Sequence, residues 1–347
     1  MIYSKLGHTD IEVSKICLGT MTFGEQNTEN EAHEQLDFAL ENGVNFIDTA
    51  EMYPVPPKQK TQGLTEKYIG SWLNKTKKRD KLIIASKVTG PAPDFDYIRN
   101  PLKIDKKNIE AAIEENLKRL NTDYIDLYQI HWPQRETNYF GELNYKYTKE
   151  NKNEIFDNIN ESYETLNSLV TQGKIRTIGL SNDTSWGTMK FIEISNAKSF
   201  SKIVSVQNPY SLLNRLYEIN MAEIAEIENV KLLAYSPLGF GVLTGKYLDN
   251  PPKNARLTIW NRFNRYSNKF CKEATIKYVN LAKKYGLTPT QLALAFVNNQ
   301  PFVASNIIGA TNLSQLEENI QSINITLDEE IKNEIDAINM SHPNPAP

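Results

Sequence analysis

Short apolar runs alternate with longer amphipathic segments along almost the whole chain, a pattern that predicts repeated strand–helix units. The apolar run at 16–18 precedes a helix-spaced stretch at 29–41, 45–48 precedes 65–73, 82–87 precedes 106–120, and 124–130 precedes 155–170. The pattern continues with 175–181 before 186–194, 205–208 before 219–226, 231–236 before 273–285, and 305–309 before 313–320. Helical spacing is plain in 106–120, where Ile109, Ile113, Leu117 and Leu120 recur at i, i+4, i+8 and i+11 on one face. Alternating units imply a parallel sheet. Eight of them imply closure into a (β/α)8 TIM barrel, an α/β fold, expected as one domain over residues 1–347.

What the eight units leave over falls in definite places. Segments 3–6 and 12–14, joined by Gly7-His8-Thr9-Asp10, predict a hairpin placed to plug the bottom of the barrel. Long segments at 89–105, 132–153 and 237–269 follow the third, fourth and seventh strands. Loops after strands lie on the catalytic rim, so these should shape a substrate pocket. A further helix is predicted at 289–299, with Gly286 separating it from the one before.

Composition narrows the function classes. The 347 residues are 40% hydrophobic and 23% charged, with a formal net charge of −3 and a pI near 6.0, so no global positive field draws the chain to nucleic acid or anionic lipid. The first residues carry no apolar signal core, and no run approaches the roughly 18 apolar residues of a membrane span. Two distant cysteines, Cys17 and Cys271, make neither a disulfide framework nor a zinc site, which fits a reducing cytoplasm. With no heptad left over after the barrel helices, a monomer is expected.

Candidate chemistry gathers at strand ends. Asp48 closes the second barrel strand and Tyr53 follows in its loop; Lys87 closes the third and His131 follows the fourth. Neighbouring strand ends converge on one rim, so the four should meet. A free phenol has a pKa of about 10, and an adjacent Lys87 ammonium, held by Asp48, is expected to lower it until Tyr53 serves as a general acid. His131 would orient a substrate carbonyl. No side chain gives hydride, so a nicotinamide cofactor is implied. A tyrosine beside prolines, a lysine ending a strand, a rim histidine and a turn-capping aspartate each have ordinary structural explanations; their joint placement on adjacent strand ends favours catalysis.

The C-terminal half supplies cofactor candidates. Ser181, Asn182 and Gln207 end the fifth and sixth strands with groups suited to a carboxamide, and Tyr235 can stack on a heteroaromatic ring. After Tyr235-Ser236-Pro237-Leu238 comes a glycine-rich stretch containing Gly241, Leu243, Thr244, Gly245 and Lys246, whose backbone N–H groups are expected to approach a pyrophosphate. The eighth strand ends Ile308-Gly309-Ala310-Thr311, and Gln315, Glu318 and Asn319 sit on the helix that follows, with the last two placed for an adenine edge. Lys246, Arg256, Arg262 and Arg265 offer cations for a 2′-phosphate, which points to NADP(H).

These segments resemble the aldo-keto reductase superfamily over essentially the whole chain. The resemblance rests on Leu18-Gly19-Thr20-Met21-Thr22-Phe23-Gly24, Phe46-Ile47-Asp48-Thr49-Ala50-Glu51-Met52-Tyr53, Ile84-Ala85-Ser86-Lys87, Asp126-Leu127-Tyr128-Gln129-Ile130-His131-Trp132 and residues 173–182 and 235–247. Within the superfamily it looks closest to the bacterial Tas-type NADP(H)-dependent reductases, through Gly24-Glu25-Gln26-Asn27, 50–57, 262–267, 300–305 and 343–347. The resemblance implies the barrel, a tetrad at Asp48, Tyr53, Lys87 and His131, and NADP(H) across the rim, with Gly19, Thr20, Met21 and Asp48 among its contacts. Where the best-known reductases carry Lys-Ser and a later Arg, this chain has Gly309-Ala310 and Gln315, which moves the 2′-phosphate grip to Lys246 and Arg256. Phe23 and Trp132, with Met21 and the loop 134–147, are expected to line a pocket for a small-molecule carbonyl. A cofactor-sensing regulatory subunit on the same barrel is the alternative, against which the intact tetrad counts. A metal-dependent hydrolase is poorly served, since of His8, His33, His131 and His342 only His131 lies at a rim strand end.

Overall fold

The computed structural model describes residues 1–146, 151–260 and 264–346, so Arg262 lies outside the described residues. The chain opens with an antiparallel hairpin, β1 (Tyr3–Lys5) and β2 (Glu12–Ser14), registered with Tyr3 opposite Ser14. Eight parallel strands then close a barrel: β3 (Ile16–Gly19), β4 (Phe46–Asp48), β5 (Ile83–Val88), β6 (Ile125–Ile130), β7 (Ile175–Ser181), β8 (Ile203–Pro209), β9 (Lys231–Tyr235) and β10 (Val303–Ile308). Each pairs with its neighbour in the chain, and β10 returns to β3 through Ile307 opposite Cys17. Helices α1 (Glu29–Glu41), α2 (Leu64–Thr76), α3 (Lys106–Leu120), α4 (Lys152–Thr171), α5 (Ser185–Lys198) and α6 (Met221–Ile227) follow β3 to β8 in turn.

The two-residue period of the strands sorts the side chains. Cys17, Phe46, Ala85, Leu127, Val204 and Leu233 face the barrel interior and pack with Leu6, Ile11 and Val13 of the hairpin, which therefore plugs the bottom. Gly7 makes that plug possible: its φ is +57°, and a Cβ there would sit 2.6 Å from the Val204 carbonyl oxygen. Odd and even strand positions diverge as expected. Ser86, beside inward Ala85, turns its hydroxyl outward to donate to Glu66 of α2 at 2.6 Å. Tyr128, beside inward Leu127, donates to Asn116 of α3 at 2.9 Å.

Departures from the sequence pattern cluster after β9. The segment 237–269 contains a 3-10 turn at Gly239–Thr244 and a short helix α7 (Arg256–Ile259) before α8 (Lys269–Lys284), α9 (Pro289–Asn298) and, after β10, α10 (Leu313–Gln321). A last helix, α11 (Glu329–Ser341), had no slot in the eight-unit alternation. It starts where Asp328 accepts from the Ile331 N–H, buries Ile331 and Ile335, and is tied to α8 and its cap by Lys284 and Tyr285 on Glu334. Among the described residues, no helix is long and apolar enough to cross a membrane.

Candidate active site

Strand register brings the tetrad together. Asp48 lies opposite Ala85 across the β4–β5 pair, so the next inward residue of β5 is Lys87; Lys87 in turn lies opposite Gln129, so the next inward residue past β6 is His131. Lys87 is fully buried. Its ammonium donates to both Asp48 carboxylate oxygens at 2.8 Å and to the Thr49 carbonyl at 2.7 Å. Its Nζ also lies 5.2 Å from the centre of the Tyr53 ring. The Tyr53 and His131 rings meet edge to face at 5.8 Å. All four residues occupy one corner of the rim.

Their electrostatics differ from the sequence expectation. Tyr53 is pushed well above the ordinary phenol range, first by burial and then by the Asp48 carboxylate. The Lys87 ammonium is bound to Asp48 and Thr49, and its charge is balanced by the Asp48 carboxylate. The Arg256 guanidinium is the group that pulls the phenol back down. His131 is held well below the ordinary imidazole range by burial and then by Lys87, so it is neutral at pH 7. A neutral imidazole carries one N–H and can still donate a hydrogen bond.

A continuous chain of hydrogen bonds links the tetrad to the carboxamide candidates. The Tyr235 hydroxyl donates to Asn182 Oδ1 at 2.7 Å, and Asn182 Nδ2 donates to the His131 carbonyl at 2.9 Å and to Ser181 Oγ at 3.1 Å. Ser181 Oγ donates to the Gln207 carbonyl at 2.9 Å, and Gln207 Nε2 donates to Asp48 Oδ1 at 2.8 Å. Thr20 joins through its hydroxyl, 2.8 Å from the Asp48 carbonyl. Gly19 is pressed against β10, where a Cβ would meet Ile307 Cγ2 at 2.8 Å. The Met21 carbonyl accepts from Val55 N–H, anchoring the tyrosine loop.

The strand-nine loop corrects one expectation. The N–H groups of Gly239, Gly241, Leu243, Gly245 and Lys246 bond within the turn, to Ser236, Leu238, Leu238, Val242 and the Thr244 hydroxyl, and so are already engaged. Leu243 is also buried in the main core. The side chains have the chemistry instead. Lys246 folds over Gly241, and burial and Arg256 pull its ammonium down; burial pulls Arg256 to about 10. Two cations that disfavour one another are the donor set an anionic pyrophosphate or 2′-phosphate suits, so the residues present fit a phosphorylated nicotinamide cofactor. Arg256 also reaches Gln26 Oε1 at 3.3 Å, from the loop after β3. That contact bridges the rim across the end of β10, which lies between β9 and β3.

At β10 the candidates divide. Ile308 and Ala310 are buried, and a Cβ on Gly309 would meet nothing within 4 Å, leaving an open path for a ligand. Asn319 pins this turn by donating to the Gly309 carbonyl at 3.1 Å. Gln315 accepts from the Thr311 N–H at 3.0 Å, and Glu318 accepts from Thr288 at 2.6 Å. An adenine edge would have to compete with these bonds.

Trp132 reaches the site as expected. It packs with Ala50 and Met52 against Tyr53, Phe95, Ile98 and Tyr139, its ring 4.9 Å from that of His131. Phe23 does not: it is fully buried in the core between barrel and helices, because its position in the turn after β3 faces α2, where Thr65 donates to its carbonyl at 2.7 Å. Sequence reading passed over Glu51, Phe95, Ile98 and Arg99. A carboxylate two residues before Tyr53 was the available signal for Glu51.

A parallel barrel with an acid, an ammonium, a phenol and an imidazole at the carboxyl ends of its strands defines an oxidoreductase site. The chain belongs to the aldo/keto reductase family, whose model matches residues 15–340. It is 50% identical over 349 aligned positions to Protein tas of Escherichia coli (strain K12), covering all of both chains. It is 34% identical to the uncharacterized oxidoreductase YrpG of Bacillus subtilis (strain 168), over 95% of this chain and 94% of that one. An aldo-keto reductase of Babesia bovis is 38% identical over 69% of this chain and 88% of its own. The resemblance read from the motifs holds for the family and for its Tas-type members.

Proposed function

We propose that this protein is an NADP(H)-dependent reductase of aldehydes and ketones, acting in the cytoplasm, with Tyr53 as the proton donor. The observation that carries the reading is the Asp48–Lys87 pair set beneath the Tyr53 ring with His131 at its edge. A bound nicotinamide supplies the hydride, held by Ser181, Asn182, Gln207 and Tyr235 at the ring end and by Lys246 and Arg256 at the phosphates. Neutral His131 donates a hydrogen bond to the carbonyl oxygen and orients it. The high pKa of Tyr53 keeps it protonated at neutral pH until the carbonyl carbon has been reduced. The substrate oxygen, then an alkoxide, takes the phenolic proton, and the Arg256 cation favours the phenolate left behind. The apolar wall of Trp132, Met52, Phe95 and Ile98 suits aromatic and apolar carbonyls.

Replacing Tyr53 by Phe removes the donor and leaves the ring. NADPH binding, followed by fluorescence, should be nearly unchanged, while reduction of 4-nitrobenzaldehyde falls by about 100-fold or more. Near-normal turnover by the variant would sink the assignment. Failure of the unmodified protein to oxidise NADPH with any aldehyde would favour the regulatory reading instead.

A further inference from the structure

Glu51 stands two residues before the phenol and is 1% exposed. Its Oε2 accepts from the Thr89 N–H at 2.9 Å and from Arg99 Nη2 at 3.1 Å, and its Oε1 accepts from Arg99 Nη1. Arg99 is braced in turn: its Nε donates to Asn108 Oδ1 at 2.8 Å, and Asn108 is held by Asp105 at the start of α3. The main chain of Glu51 is fixed as well, its N–H donating to the Lys87 carbonyl at 3.3 Å and its carbonyl accepting from Gln62 Nε2 at 2.7 Å. Two residues on, the Tyr53 carbonyl accepts from the Gly63 N–H at 2.8 Å. The side chain thus joins the turn bearing the phenol to the loop 89–105, which also presents Phe95 and Ile98 to Trp132.

A buried ion pair adds little net stability over apolar residues of the same volume. A two-toothed guanidinium–carboxylate contact supplies direction instead. We propose that Glu51 and Arg99 are positioning residues: together they hold Tyr53 at a fixed distance from Lys87 and from the substrate-facing wall. The proposal rests on Tyr53 being the proton donor. Neither residue touches the reacting atoms; both act through the turn at 49–53. Because proton transfer requires close alignment, loosening this clamp should lower kcat more than it weakens cofactor binding.

Two variants test this, Glu51→Gln and Arg99→Lys, the second keeping the charge while removing the fork. Each should lower kcat for 4-nitrobenzaldehyde by up to about 100-fold, with the NADPH dissociation constant unchanged. Amide exchange over 49–53 and at Thr89 should quicken in the free protein. The Glu51→Gln/Arg99→Lys double variant should be no worse than the poorer single one. Unchanged kcat in a folded Arg99→Lys protein, or losses that multiply in the double variant, would overturn the proposal. Running Tyr53→Phe alongside separates the two ideas. If that control stays active, the reading of Tyr53 has failed; if it is dead and Arg99→Lys is normal, only the clamp has failed.

Discussion

The Asp48–Lys87 pair gives the sharpest physical test, because both groups are buried and each depends on the other. Substituting Asp48→Leu leaves the Lys87 ammonium with one of its three acceptors, the Thr49 carbonyl. Substituting Lys87→Met leaves the Asp48 carboxylate, among the described residues, with the Gln207 amide as its hydrogen-bond donor. Breaking a buried pair from one side costs about 3–5 kcal/mol, whereas replacing both partners with apolar groups is often close to neutral. With an unfolding entropy of about 2.1 cal/mol/K per residue over 347 residues, each single loss corresponds to about 4–7 °C in Tm. The double variant, Asp48→Leu with Lys87→Met, should recover most of that, by thermal unfolding followed by circular dichroism. All three proteins should lose aldehyde reduction, so stability and activity come apart. Strict additivity, with the double variant falling by the sum of the single losses, would refute the claim that these charges are coupled and mutually compensating.

Two further outcomes follow from the site. His131 has its folded pKa held down, so below about pH 6.5 the unfolded chain takes up a proton that the folded one does not, and stability is lost as pH falls through that value. The Tm of the unmodified protein should therefore drop relative to His131→Gln between pH 7 and 5; a constant difference would show that the buried imidazole is not the cause. At the phosphate end, Lys246→Ala and Arg256→Ala should each weaken NADPH by about tenfold while leaving NADH nearly unaffected, measured by fluorescence titration. Equal weakening of both nucleotides would remove these two side chains from the 2′-phosphate.

The sequence by itself determined the barrel and the corner of its rim where the chemistry gathers. Apolar runs of strand length, each ending on a polar residue and followed by a helix-spaced segment, can bury their faces in few ways besides a closed parallel sheet. That closure carries Asp48, Lys87 and His131 to neighbouring strand ends whatever the details of packing. Local pattern also gave the hairpin whose Leu6, Ile11 and Val13 fill the bottom.

Tertiary structure decided which groups answer one another. Glu51 and Arg99 lie 48 positions apart, and no periodicity marks them as a pair. Phe23 reads as an aromatic near the rim, yet the turn after β3 directs it into the core. The glycines after β9 read as a phosphate cradle, but the N–H groups of Gly239, Gly241, Leu243 and Gly245 bond within the turn itself. The upward shift at Tyr53 comes from burial and from the Asp48 carboxylate brought beside it. Spacing encodes which face of an element is buried. Hydrogen-bond partners and local dielectric are set by three-dimensional distances, and these exist only once the barrel has closed.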